Sequence, residues 1–370
     1  VVGDKYNFYL VQGWAINNCT ESEYFGNSYL TVIHGLSDGG SARTKNQPGG
    51  IYSFNAAMES LDATDNNGFA QALLPTPNDA SERQDFKRIC VDPKDGMIYF
   101  NSTTAIYKIN PADTAHYTNI LEGKEGITKV NCCYALDGVV YFLDNANTST
   151  GATLKKIDAE GNITTIAQNT TWGVQDMSIT TDGRGGFWLA QHRWNLDAFS
   201  ILTHVSAAGA VDYTVTSSSD ADVKALFPQG NNASYRGQCT YNVKEDLLAF
   251  GGNKTAAVYH VTYDATTGVP ALELVQRTGS IGNNIDGLAF DYAGNLYVAS
   301  ASTEQLYIYA MPIENNALTT PAAAAQAVQF AAPANFAEVV AGKTIRRVVN
   351  DNNGVYALAL DAAGAPTLVK

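Results

Sequence analysis

Apolar and polar residues alternate along this chain in short runs rich in Val, Ile, Tyr and Thr, and the runs recur. Such period-two stretches predict half-buried β-strands. One copy reads Ile285-Asp286-Gly287-Leu288-Ala289-Phe290, then Asp291-Tyr292-Ala293-Gly294-Asn295, then Leu296-Tyr297-Val298-Ala299. Others are Met177 to Ala190, around Asp182-Gly183-Arg184-Gly185-Gly186, and Arg88 to Phe100, around Asp92-Pro93-Lys94-Asp95-Gly96. Each is a strand, an Asp/Gly turn and a second strand carrying an aromatic residue. Gly and Asn tolerate positive φ, and Asp ties a turn through its own side chain, so we read the repeated Asp as a turn cap. Helical periodicity competes only at Ala322 to Phe330, read as a linker or short helix.

The repeats are spaced by about 45 to 60 residues, the spacing of four-stranded propeller blades. The expectation is an all-β chain forming a single β-propeller domain over residues 1–370. Its units are approximately 5–75, 86–128, 130–170, 175–216, 235–278, 284–311 and 344–370. Seven blades are expected and six are the alternative. The last unit has three clear strands, so the N-terminal strand is expected to complete it and remove an exposed edge.

Asp286 to Ala299 resembles the NHL and gluconolactonase-type propeller repeat, and so does Val91 to Phe100. The stretch Asp286 to Pro312 is also similar to uncharacterised surface propeller (lipo)proteins of gut-type Gram-negative bacteria. The match covers one hairpin per blade. Gluconolactonase-type enzymes hold a divalent metal with Glu, Asn and Asp side chains from several blades, and Asp286 is near a matching position. The resemblance thus implies calcium as the candidate cofactor, with Asn284 and Asp176 as further oxygen ligands. The Glu signature of that family is not evident here.

By analogy with other propellers, ligands meet the loops that lead into first strands and those that join second to third strands. The first group contributes Asp85, Asn131, Asp176, Arg236, Asn284 and Asp286. The second contributes Gln191-His192-Arg193-Trp194-Asn195, which gathers an aromatic ring, a cation and amides suited to a sugar or a carboxylate. Trp172 precedes the same blade. Gly35-Leu36-Ser37-Asp38-Gly39 matches a nucleophile-elbow string, but no helix follows it, and we assign it no chemistry. His204 and His260 lie within strands and are expected to be satisfied locally. No catalytic residue is assigned.

The 370 residues carry a net charge of −13, which excludes the basic footprint of a nucleic-acid binder. No apolar run reaches the roughly 20 residues of a spanning helix. Five cysteines (Cys19, Cys90, Cys132, Cys133, Cys239) are an odd number for a disulfide framework, and we read them as buried and structural. Asn-X-Ser/Thr sequons start at Asn18, Asn101, Asn147, Asn162, Asn169, Asn232 and Asn253, which suits a secreted or surface glycoprotein. The chain begins at Val1, and we expect a preceding segment to have been removed or left out.

The functional expectation is an extracellular or cell-surface, non-catalytic binding or scaffold module for a glycan or partner protein. No anchor is visible in the sequence. The alternatives are a metal-dependent lactonase and a structural subunit of an outer-membrane or surface complex.

Overall fold

Each repeat becomes an antiparallel sheet because its turns bring consecutive alternating runs side by side, so every strand pairs with the next in sequence. The computed structural model describes residues 6, 8, 11–32, 49–64, 70–75, 87–147, 151–169, 175–192, 200–216, 238–251, 256–278, 281, 285–291, 293–300, 306–311, 313–314, 317–318, 328–330, 334–351 and 354–370.

The first blade is β1 (Val11–Ile16), β2 (Ser28–Val32), β3 (Gly50–Phe54) and β4 (Leu74–Pro75). The second is β5 (Ile89–Val91), β6 (Ile98–Asn101), β7 (Ile106–Asn110) and β8 (Asp113–Asn119), and the third is β9 (Val130–Leu136), β10 (Val139–Asn147), β11 (Gly151–Ile157) and β12 (Ile163–Asn169). The fourth comprises β13 (Gln175–Thr181), β14 (Phe187–His192), β15 (Ser200–Val205) and β16 (Val211–Thr216), and the fifth β17 (Gln238–Asn242), β18 (Leu247–Gly251), β19 (Ala256–Tyr263) and β20 (Pro270–Arg277). In the sixth, β21 (Ile285–Phe290), β22 (Leu296–Ser300) and β23 (Leu306–Ala310) are followed by a small hairpin, β24 (Ile313–Glu314) with β25 (Ala317–Leu318), before β26 (Val328–Phe330) closes the sheet on β23. A short helix, α1 (Ala334–Val339), leads to the last blade, β27 (Thr344–Asp351), β28 (Gly354–Leu360) and β29 (Pro366–Val369). These seven antiparallel blades have the arrangement of a seven-bladed β-propeller.

Of the segment from Ala322 to Phe330, read as a linker or short helix, only the end is described: Val328–Phe330 is a strand, β26, paired with Ile308–Ala310, and residues 322–327 lie outside the described residues. A β-partner in place fixes the conformation of these three residues, which no local pattern of their own would hold.

The chain packs as two compact units. One holds residues 1–146, 153–165 and 358–370, and the other holds 147–152 and 166–357. In the first, the Phe8 N–H donates to the Gly364 carbonyl at 2.7 Å, in the turn before β29, and among the described residues the last blade has three strands. Its cores lie between successive blades. Tyr99, Ile106, Val130, Cys133, Val140 and Phe142 interleave from the second and third. In the other unit, Trp188, Leu202, Tyr241, Leu248, Phe250 and Tyr259 do the same for the fourth and fifth. Each such side chain contributes about 1.5–3 kcal/mol by leaving water.

The repeated Asp does cap turns. The Asp182 carboxylate accepts the N–H groups of Arg184 and Gly186, Asp291 accepts that of Asn295, and Asp361 accepts those of Ala363 and Ala365. The Gly of the Asp286-Gly287-Leu288 motif has a packing reason. A Cβ there would lie 2.6 Å from the backbone nitrogen of Val348 on β27, so only Gly lets these first strands approach.

Candidate ligand-binding end of the blades

In every blade the start of the first strand lies beside the end of the second, at one end of the sheet. The structure brings three of the expected residues to that end of the fourth blade. Asp176 is the second residue of β13, and Gln191 and His192 end β14, where His192 pairs with Gln175. Asp286 holds the same position on β21, beside the Ile285–Ser300 pair. For these four residues the description covers the backbone alone. Trp172, Arg193, Trp194, Arg236 and Asn284 lie outside the described residues.

The end of the first unit is described in side-chain detail. Asn101, at the end of β6, ties three segments together. Its Oδ1 accepts the Arg88 N–H at 3.2 Å, and its Nδ2 donates to the carbonyls of Ser102 and Val130. It is fully buried. The amide nitrogen at which this sequon would carry a sugar is enclosed and already donates twice. Among the other sequons, Asn162 is exposed, with Nδ2 donating to Asp158, and Asn18 is half-buried. Asn147 and Asn169 end strands, whereas Asn232 and Asn253 lie outside the described residues.

Asn131 follows on β9. It is 4% exposed, and among the described residues neither its Oδ1 nor its Nδ2 has a hydrogen-bond partner. Its backbone is held on both sides. The Val130 N–H donates to the Thr103 carbonyl at 2.7 Å, and just before it Asp144 accepts from Thr128 N, Thr128 Oγ1 and Lys129 N. Lys155 Nζ bridges Asp144 and the Gly126 carbonyl, at 2.7 Å to each. Burial works to raise the Asp144 carboxyl, but Lys155 and these N–H and O–H donors outweigh it and hold it below the usual carboxylate range.

The other unit repeats the pattern at the start of β17. Gln238 is 8% exposed, and its Nε2 has no partner among the described residues. The neighbouring backbone is fixed, since Ser178 Oγ donates to the Cys239 carbonyl and accepts the Cys239 N–H. Sequence reading placed Asn131 at this end and passed over Gln238, two residues beyond Arg236. Its signal was an amide at the start of a first strand.

A second polar cluster, at the opposite end of the fourth and fifth blades, is closed to chemistry. His204 Nδ1 lies 2.6 Å from Asp212 Oδ1, and its Nε2 lies 3.0 Å from Asp182 Oδ2. Trp188 packs against the ring. With both nitrogens facing carboxylates in a buried site, neither is open to a substrate. Arg184 makes a bidentate pair with Asp246 and lies over the Tyr263 ring. Asp246 raises the Arg184 pKa, and burial and the adjacent Tyr263 raise that of Tyr241. Burial opposes ionisation of Asp182, yet His204 and the turn N–H groups hold its carboxyl below the usual range. Among the described residues, no three His, Cys, Asp or Glu side chains are grouped to hold a metal ion. The expected calcium ligand Asp286 is described by its backbone alone, and Asn284 lies outside the described residues.

No family model matches the chain, and no curated protein matches its sequence. Solved structures do match. A chain of the mitotic checkpoint complex is 12% identical with a TM-score of 0.55, over 100% of this chain and 88% of that one. A chain of Kuenenia stuttgartiensis hydrazine synthase is 10% identical with a TM-score of 0.55, over 97% and 95%. Virginiamycin B lyase from Staphylococcus aureus is 11% identical with a TM-score of 0.50, over 97% and 94%. At these identities the likeness is one of fold, and with the blades described above it makes this chain a seven-bladed β-propeller.

Proposed function

We propose that this chain is a non-catalytic binding module that engages a partner protein at the end of the blades where the first strands begin. The observation that carries the reading is Asn131. A buried amide with neither atom bonded is costly to keep, at about 1–3 kcal/mol, and such a group in a folded protein calls for an explanation. A ligand that completes its hydrogen bonds supplies one. An amide offers one donor and one acceptor face, the complement of a peptide backbone. Gln238 offers a second such donor in the other unit. One structural neighbour belongs to a multiprotein assembly, the mitotic checkpoint complex, which suits a scaffold role for the fold. Surface location remains part of the proposal.

The test uses the whole chain immobilised as wild type, Asn131→Ala and Gln238→Ala, and challenged with an extract of the source cells. A protein retained by wild type and lost from the variants at unchanged Tm supports the reading. Retention indifferent to both substitutions overturns it. A Tm rise with an oligosaccharide, abolished by Asn131→Ala, would assign the site to a glycan instead. Calcium-dependent lactone hydrolysis lost in Asp286→Ala would favour the gluconolactonase-type alternative.

A further inference from the structure

Asn101 joins the entries to two first strands. Its carbonyl accepts the Lys87 N–H at 2.8 Å, its own N–H donates to the Arg88 carbonyl at 3.1 Å, and its side chain bonds the Arg88 N–H and the Val130 carbonyl. Lys87 and Arg88 lead directly into β5, and Lys129 and Asn131 stand either side of Val130 at the start of β9. Three cationic residues are thus gathered around one buried amide, in a chain whose net charge is −13. All three are half-buried. The Arg88 side chain is held at this end by its Nη1, which donates to the Gln12 carbonyl on β1 at 3.4 Å. Among the described residues the carboxylate bonded into this end is Asp144, and Lys155 matches its charge.

We infer that this end of the second and third blades binds an acidic residue of a peptide, with its carboxylate set among Lys87, Arg88 and Lys129 and its backbone against Asn131. The inference rests on the reading that a partner protein docks at Asn131, and adds the chemistry of the group that partner presents. The amide itself selects a peptide over a simple anion. Among the described residues Asn131 has no partner for its Oδ1 as well as none for its Nδ2. An acceptor-only anion would satisfy the Nδ2 and set negative charge against the Oδ1. An acidic residue brings a backbone N–H for the one and an oxygen for the other.

The charges select the kind of residue. Cations grouped beside the amide favour a negative side chain or terminus there and disfavour a basic one, while the negative charge of the chain as a whole repels acidic segments from the rest of its surface. A lysine carries its ammonium on a flexible four-carbon stem, so Lys87 and Lys129 can follow a carboxylate seated beside Asn131. Contacts of this kind at a half-buried site are weakened by salt.

The test immobilises the whole chain as wild type, as Asn131→Ala, and as the double variant Lys87→Gln with Lys129→Gln, and challenges each with pools of random peptides. One pool has a central Asp or Glu and an amidated C-terminus, a second replaces that residue with Asn or Gln, and a third is the second with a free C-terminal carboxylate. Wild type should retain the first or the third about tenfold more than the second, the effect of one charged hydrogen bond, and which of the two is retained tells a side-chain carboxylate from a terminal one. Added salt should weaken that retention. The double lysine variant should lose the acidic preference and most of the salt dependence, and Asn131→Ala should lose every pool at unchanged Tm. Acidic and neutral pools retained equally by wild type and lost alike in Asn131→Ala would overturn this inference and leave the partner reading standing. An acidic preference that survives in the double lysine variant would overturn it too, as would a Tm rise with inorganic phosphate alone that Asn131→Ala abolishes, which assigns the site to a free anion. Retention of no pool by wild type would overturn the inference together with the reading beneath it.

Discussion

The carboxylate of Asp92 accepts the N–H of Gly138 at 2.6 Å, and the two residues belong to the first turns of successive blades. The same carboxylate also accepts the N–H groups of Lys94, in its own turn, and Asp137. One side chain thus caps a hairpin and docks the next hairpin against it. The device recurs in other forms. Arg184 of one turn pairs with Asp246 of the following blade, and Asn242 donates to the carbonyl of Asp291 one blade further on.

Replacing Asp92 should therefore cost more than an ordinary turn residue. Asp92→Ala removes a fully buried carboxylate and leaves the N–H groups of Lys94, Asp137 and Gly138 without their acceptor. We expect a loss of about 2–3 kcal/mol, read from the urea midpoint at unchanged m-value. A loss no larger than that of the exposed turn variant Asp264→Ala would contradict the docking role.

Stability should fall in mild acid through Asp144 and Asp182. Both carboxyls are held below the usual range by their partners in the folded state. A depressed folded pKa contributes stability that is present above the unfolded value, near about 3.9, and is lost as pH falls through the folded one. Urea midpoints measured downward from neutral pH should be flat to about pH 5 and then decline. Asp144→Asn and Asp182→Asn should each lower the neutral-pH midpoint and make the acid decline shallower.

Asn131→Leu should stabilise the isolated chain. The substitution removes two polar atoms that have no partner among the described residues and keeps the same branched arrangement of four side-chain heavy atoms, for a gain of about 1–3 kcal/mol. The same variant should lose the partner retained by wild type. A variant that is less stable without any ligand would mean that the amide is satisfied in solution, by water.

Gly287→Ala tests the close approach of β21 to β27. The added methyl meets backbone, which cannot move aside as a flexible side chain would, and we expect a cost of about 1–3 kcal/mol by thermal or urea unfolding. A neutral effect would show that the two strands separate without penalty.

Much of this fold was legible locally. The alternating runs and the Asp/Gly turns announced hairpins because a turn's requirements are met by residues within a few positions of each other, as in Asp182 with Gly186 or Asp291 with Asn295. The blade count followed from their spacing. The fourth strand of the sixth blade was missed because β26 owes its conformation to pairing with β23, across an inserted hairpin, and not to its own pattern. The candidate site was legible only as a place. The starts of first strands could be named in advance, and Asn131 among them, but that its amide lacks a partner while Asn101 is fully enclosed depends on neighbours from other strands.

By itself the sequence determined the strands, the turns that join them, and their repetition at a blade's spacing, because period-two burial and positive-φ turns are encoded by adjacent residues. Only the tertiary structure decided which residues meet across blades: Asp92 with Gly138 and Asn101 with Val130. These partners are tens of residues apart. Their meeting depends on how one sheet's side chains fill the spaces of the next, a condition that no short stretch of sequence contains.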